Sequence, residues 1–213
     1  MKKILFQGDS ITDMFRSKEN DKFLGIGYPV LVGASLGADR PGEYEFLNRG
    51  VSGNRVVDLY ARIKSDIINL KPDLVSILIG VNDVWHELGG RFNGVDAEKY
   101  CTIYSMLIEE IKAALPDSEI MILEPFVLRA GETDENWEYF SSEVAKRAEK
   151  AKLISEKYNL KFVPLQNKFN EAEKCAEASY WLWDGVHPNA PGHEIIKREW
   201  LKAFEELNIA NKK

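Results

Sequence analysis

The sequence is poor in the residues that disulfide scaffolds and metal centres require. Its 213 residues include two cysteines, Cys101 and Cys175, and three histidines, His86, His187 and His193. Two thiols in a chain of this length do not suggest a secreted disulfide framework, and both cysteines lie in apolar surroundings, which reads as small core residues. No H-E-x-x-H or other metal-ligand spacing is present, and no glycine-rich nucleotide fingerprint occurs, so neither a metal nor a cofactor is expected. No segment approaches the roughly 20 apolar residues of a membrane span. After Met1-Lys2-Lys3 the apolar run Ile4-Leu5-Phe6 stops at Gln7-Gly8-Asp9, short of the about 7–15 residues of a secretory signal. The expectation is a cytoplasmic protein with no membrane partner. Long runs of one charge are also missing, and the net charge is -6. An acidic chain gains nothing from releasing phosphate counterions, so nucleic acid is not an expected partner.

What is present is enough apolar sequence, 45% of residues, for one sizeable core and a single domain over residues 1–213. Short apolar runs alternate with helical patterns. Strands are expected at Ile4-Leu5-Phe6, Glu45-Phe46-Leu47, Leu74 to Ile79, Ile120 to Leu123 and Lys161-Phe162-Val163. The third is almost continuously apolar, as a central parallel strand buried on both faces would be. Apolar stripes of helical period predict helices over Val56–Leu70, Ala97–Leu115, Trp137–Tyr158 and after Pro191. Strands alternating with helices predict an α/β fold, a three-layer α/β/α sandwich around a five-stranded parallel sheet. The polar stretch from Arg129 to Asn136 reads as a loop, flexible and beside the site.

In such sheets ligands bind outside the carboxyl ends of the strands. Ser10 in Gly8-Asp9-Ser10 follows the first strand. Gly53 in Ser52-Gly53-Asn54 follows the second, and Asn82 in Gly80-Val81-Asn82-Asp83 follows the third. A serine hydroxyl needs a base to take its proton, and the base needs a group that fixes its tautomer. Asp184-Gly185-Val186-His187 offers both, three residues apart on a Gly/Pro/Asn-rich loop. Taken singly, each motif has a plainer reading. Ser10, Asp9 or Thr12 would cap a helix, Asn82 would form an Asx turn, Asp83 would cap the next segment, and a chance Asp-x-x-His is common. Gly33-Ala34-Ser35-Leu36-Gly37 matches the nucleophile-elbow string G-x-S-x-G, but a helix rather than a strand precedes it and Pro41-Gly42 follows, so Ser35 is not the expected nucleophile. His193 reads as the start of the last helix, and His86 as a pocket or surface residue. Trp85 and Trp183 adjoin the motifs and are equally readable as packing aromatics or as sugar platforms.

Together the four segments resemble the SGNH (GDSL) hydrolase superfamily, whose marker residues fall here on Ser10, Gly53, Asn82 and His187, with Asp184 as the triad acid. The strings Phe6 to Asp13, Gly50 to Asn54, Ile79 to Trp85, Glu124-Pro125-Phe126 and Trp183 to Pro188 are similar to the cytoplasmic acetyl-xylooligosaccharide esterases of that superfamily. Gln7 departs from the small or apolar residue usual there. The resemblance implies a flavodoxin-like sheet, a shallow exposed site, a homo-oligomer, and an acylated sugar as substrate. It implies that Ser10, His187 and Asp184 are catalytic, that Ser10, Gly53 and Asn82 form the oxyanion hole, and that no cofactor takes part. A lysophospholipase or thioesterase is the rival enzyme reading, and a non-catalytic carbohydrate-binding module the rival from another class.

Overall fold

In the computed structural model, which describes residues 1–88 and 90–207, strands and helices alternate. The elements are β1 (Lys2–Gly8), α1 (Ser10–Asp13), α2 (Tyr28–Asp39), β2 (Tyr44–Asn48), α3 (Val56–Ala61), α4 (Ile63–Asp66), β3 (Leu74–Leu78), α5 (Val81–Trp85), α6 (Ala97–Ala114), β4 (Glu119–Leu123), α7 (Trp137–Tyr158), β5 (Lys161–Val163), α8 (Gln166–Glu173), α9 (Ala178–Trp181) and α10 (Ala190–Glu205). The five strands are parallel in the order β2-β1-β3-β4-β5. This is the flavodoxin-like order, whose reversal of direction between β1 and β3 opens a crevice at the carboxyl edge.

Strand periodicity explains the three layers. Every residue of β3 is buried, and its side chains alternate between faces. Leu74 and Leu78 join one apolar cluster with Tyr28 and Val32 of α2 and Ile196 and Trp200 of α10. Val75 and Ile77 join a second cluster with Val56 and Leu59 of α3 and Tyr100, Tyr104 and Leu107 of α6. Ser76 is the polar exception in β3, and its hydroxyl accepts the Trp200 indole N–H at 2.8 Å. α6 starts where Asp96 accepts the N–H groups of Glu98 and Lys99 at 3.1 and 2.9 Å, so that its orphan donors are satisfied.

Two expectations need correction. The single helix expected over Val56–Leu70 is α3, α4 and a 3-10 turn at Ile68–Leu70. The backbone leaves helical values at Arg62 (φ -110°, ψ 16°) and at Ile67 (φ -133°, ψ -67°). Val56, Leu59, Ile63 and Ile67 stay buried through both breaks, so the apolar stripe does not register them. Cys175 is exposed rather than packed. It lies in the turn after α8, held by its N–H to the Ala172 carbonyl at 2.9 Å. Cys101 is half-buried against the second cluster.

Candidate active site

β1 delivers Ser10 to the carboxyl edge. Its last residue, Gly8, leads into Asp9, whose carboxylate accepts the Ile11 N–H at 3.0 Å and caps α1. Asp9 is therefore the cap among the residues suited to it, and Ser10 stands at the first position of the helix with its hydroxyl free to turn outward. Asp9 is itself buried, and burial pushes its carboxyl up to about 7, against the lowering influence of the Ile11 N–H and of His187.

The loop between α9 and α10 brings His187 over this turn. Ser10 Oγ lies 2.7 Å from His187 Nε2, and His187 Nδ1 lies 2.6 Å from Asp184 Oδ2. The other Asp184 oxygen accepts the backbone N–H groups of Val186 and His187 at 2.9 and 2.7 Å. One carboxylate thus builds the turn and orients the ring. Burial alone would raise the Asp184 carboxyl; the hydrogen bonds from the His187 ring and from the two N–H groups outweigh it and hold the group below its ordinary range. For His187 burial acts downward, and the hydrogen bond and charge of Asp184 outweigh it, so the imidazole is raised. A ring held this way accepts a proton at Nε2 readily.

The segment from Arg129 to Asn136 does lie beside the site. It contains a 3-10 turn at Gly131–Thr133, and the buried Thr133 hydroxyl donates to the Leu128 carbonyl at 2.6 Å. The Glu132 N–H meets the Asp184 carbonyl at 3.1 Å and the Leu128 N–H meets the Gly185 carbonyl at 2.9 Å. Nothing in the sequence singles out Thr133; only the packing shows that this segment braces the Asp184 turn. Gly185 has φ +89°, and a Cβ there would stand 2.3 Å from Thr133 Oγ1 and 2.6 Å from the carbonyl oxygens of Ala130 and Leu128. Gly185→Ala should therefore destabilise the protein by about 2 kcal/mol or more, a fall of about 4–8 °C in melting temperature. An unchanged thermal melt would show that this turn is not under such constraint.

Gly53 and Asn82 converge on the same edge. Gly53 has φ +82° with open space where a Cβ would point, so the backbone conformation, rather than crowding within the protein, calls for glycine there. The Asn82 amide donates to the Asn54 carbonyl at 3.1 Å, which leaves its second N–H available. Among the described residues no hydrogen bond occupies the N–H of Ser10 or of Gly53. Asp83, beside Asn82, caps not the segment that follows it, as expected, but an earlier helix: both its oxygens receive the Val56 N–H at the start of α3, at 3.1 and 3.2 Å.

An open pocket of about 440 Å³ surrounds Ser10 and His187, with Asp13, Met14, Phe15, Lys18, Ser52 and Trp183 on its walls. Trp183 stacks on the His187 ring (centroids 5.5 Å apart, planes at 16°) and keeps its other face open, being 56% exposed. Trp85 is not a pocket wall. It packs against Phe140, and its ring centroid lies 5.8 Å from that of His187, with the planes tilted at 47°. Phe15 was not legible as a site residue. It follows α1 with φ +60°, is 77% exposed and forms a pocket wall. A bulky residue held in the left-handed region signals a constrained segment. His86 stays outside the pocket, its Nε2 3.1 Å from an Arg91 guanidinium nitrogen. His193 lies within the first turn of α10, is buried, and accepts the Tyr28 N–H at Nδ1; burial, then the charge of His187, lowers it to about 4. Ser35, in the decoy motif, is on α2 and does not line the pocket that holds Ser10 and His187. A groove of about 500 Å³ between α7 and α8 is somewhat larger but holds no histidine. Among the described residues no three His, Cys, Asp or Glu side chains gather as a metal site, and no helix is long and apolar enough to cross a membrane.

Comparison with known proteins bears on this geometry. The model of the GDSL-like lipase/acylhydrolase family matches residues 6–195. The acetylxylan esterase of Geobacillus stearothermophilus is 36% identical over 208 residues, 94% of this chain and 92% of that one. Its crystal structure superposes with a TM-score of 0.85 at 34% identity, over 95% of this chain and 93% of that chain. A GDSL-like lipase structure from Parabacteroides merdae gives a TM-score of 0.89 at 37% identity, over 95% and 94%. Variants of the Geobacillus enzyme altered at a serine, an aspartate and a histidine are described as catalytic mutants. With the family model spanning most of its length and an esterase this similar across nearly all of it, the chain belongs to the GDSL-like lipase/acylhydrolase family and is a carboxylic ester hydrolase.

Proposed function

We propose that this esterase removes short acyl groups, foremost acetyl, from xylo-oligosaccharides or other acylated sugars, and that Ser10, His187 and Asp184 carry the reaction. The observation that supports it most is the continuous hydrogen-bond chain from Ser10 Oγ through His187 to Asp184, at 2.7 and 2.6 Å, opening into the pocket. Ser10 Oγ attacks the ester carbonyl while His187 Nε2 takes its proton. The carbonyl oxygen becomes an oxyanion held by the N–H groups of Ser10 and Gly53 and the amide of Asn82. Loss of one such donor typically costs about 100- to 1,000-fold in rate. His187 returns the proton to the departing sugar hydroxyl, leaving an acyl group on Ser10. A water, deprotonated by the same imidazole, then releases the acid and restores the serine. Asp184 keeps the proton on Nδ1 and stabilises the imidazolium.

The exposed Trp183 ring, in a pocket that Phe15 also lines, suits a sugar ring. Trp85 acts on the substrate only through its contact with His187. A single sheet with helices on both faces suits one domain over residues 1–213, and the resemblance favours a cytoplasmic homo-oligomer. The substrate class is tested by acetate release from acetylated xylo-oligosaccharides, run beside p-nitrophenyl esters of two, four and eight carbons. Fast acetate release with rates falling steeply beyond two carbons is the expected result. Preference for the eight-carbon ester with slow acetate release would replace the sugar reading with a lysophospholipase or thioesterase. Binding of acetylated sugar without any turnover would leave only the carbohydrate-binding module.

A further inference from the structure

The interruption of the expected helix at Arg62 turns one guanidinium toward the carboxyl edge of the sheet. There it hydrogen-bonds to the end of β1 and to both ends of the loop that follows β2. Nε donates to the Asn54 side-chain oxygen at 2.8 Å, one terminal nitrogen to the Arg49 carbonyl at 2.8 Å, and the other to the Gly8 carbonyl at 3.2 Å. Asp66, one turn on, pairs with the guanidinium at 2.8 Å. Each acceptor belongs to a segment of the site. Gly8 is two residues before Ser10, and its carbonyl also receives the Val51 N–H at 3.0 Å. Arg49 and Asn54 bracket the loop that carries Gly53. The Asn54 carbonyl receives the Asn82 amide at 3.1 Å.

We propose that Arg62 is a positioning residue for oxyanion binding: its guanidinium locks together the turn bearing the Ser10 N–H, the loop bearing the Gly53 N–H and, through Asn54, the amide of Asn82. This rests on the roles proposed above for those three groups. The guanidinium suits the task because it offers five donors in a fixed planar fork, whereas an ammonium is a single point of charge. Asp66 supplies the countercharge, and Gln7 reinforces the same junction. The Gln7 side-chain oxygen accepts the Gly8 N–H at 3.1 Å and its amide donates to the Asp66 carbonyl at 3.4 Å. The residue that departs from the usual pattern at the end of β1 thus belongs to this framework.

The test is steady-state hydrolysis of p-nitrophenyl acetate. Arg62→Gln should lower kcat about 10- to 100-fold with KM within about twofold, because misplaced donors weaken the transition state and not ground-state binding. Arg62→Lys should recover little of that loss. Asn54→Ala should lower kcat less, and its combination with Arg62→Gln should cost less than the product of the two single losses, since both act through one contact. Asp66→Asn, which removes only the ion pair, should lower the melting temperature with kcat kept within about twofold. Ser10→Ala in the same assay separates two kinds of failure. If Ser10→Ala stays active, the oxyanion assignment falls and the role of Arg62 with it. If Ser10→Ala is dead, the role of Arg62 alone is overturned by any of three results: full kcat in Arg62→Gln, independent losses in the double variant, or an equal kcat loss in Asp66→Asn. Should Arg62→Gln not fold, Arg62→Lys and Asn54→Ala decide the matter, because wild-type kcat in both would equally overturn it.

Discussion

Ser10→Ala should reduce kcat for p-nitrophenyl acetate by about 10⁵- to 10⁶-fold while leaving the fold intact. The size of the effect follows from the chemistry. Without Oγ there is no covalent path, and what remains is water attacking an ester held near the oxyanion donors, which still supplies roughly 10³- to 10⁴-fold over the uncatalysed reaction. The fold should survive because Ser10 contributes little to it. Among the described residues its hydroxyl bonds only to His187, while Asp9 rather than Ser10 caps α1. The melting temperature should therefore stay within about 2 °C of wild type, as for a site without a core or capping role. The measurement is a kcat comparison with the same preparation checked by thermal melt. A variant retaining more than about a hundredth of wild-type kcat would remove Ser10 as nucleophile. Ser35 would not inherit the role, since no histidine stands beside it on α2.

Why some of this was legible in the sequence and some was not follows from the range of each interaction. The sheet was readable because burial on both faces leaves an almost continuous apolar run, as in Leu74–Leu78 with Ser76 its one polar residue, and such runs hardly depend on context. The convergence of Ser10, Gly53 and Asn82 followed from topology, because parallel strands all end at one edge. Asp184 and His187 are three residues apart, so their pairing is local. The breaks at Arg62 and Ile67 were hidden because the stripe Val56, Leu59, Ile63 and Ile67 keeps helical spacing through them. At the break the Arg62 side chain bonds to residues 8 to 54 positions away, and no local propensity encodes contacts of that range. Thr133 was missed for the same reason: its role depends on the approach of the 128–133 segment to Gly185. Phe15 was missed because an exposed aromatic in a loop carries no periodic signal. Cys175 was misread because two neighbouring alanines look apolar in sequence although the turn after α8 faces outward.

Asp184→Asn should lower kcat by about 10⁴-fold while keeping the local turn. The direction of the amide decides this. One Asp184 oxygen accepts the N–H groups of Val186 and His187, and an asparagine satisfies both only by pointing its carbonyl oxygen at them. Its NH₂ then faces His187 Nδ1 and donates to it. Nδ1 becomes an acceptor, the ring proton moves to Nε2, and Nε2 meets Ser10 Oγ as a donor when the reaction needs an acceptor. The lost charge also changes the pH dependence. In the native protein Asp184 raises His187 above its ordinary value. Activity requires the neutral ring, so it should fall as pH drops through that raised value and be full above it. Removing the carboxylate removes the raising influence, so the residual activity of Asp184→Asn should persist to lower pH than that of the native enzyme. Asp184→Ala offers the contrast. It loses the turn as well as the charge, and should lower the melting temperature where Asp184→Asn does not. The check is a kcat/KM profile from pH 4 to 9 for native protein and Asp184→Asn. An acid limb that stays in place when the carboxylate is gone would mean that another group governs it, and the buried Asp9 carboxyl, raised to about 7 beside Ser10, would be the one to substitute next.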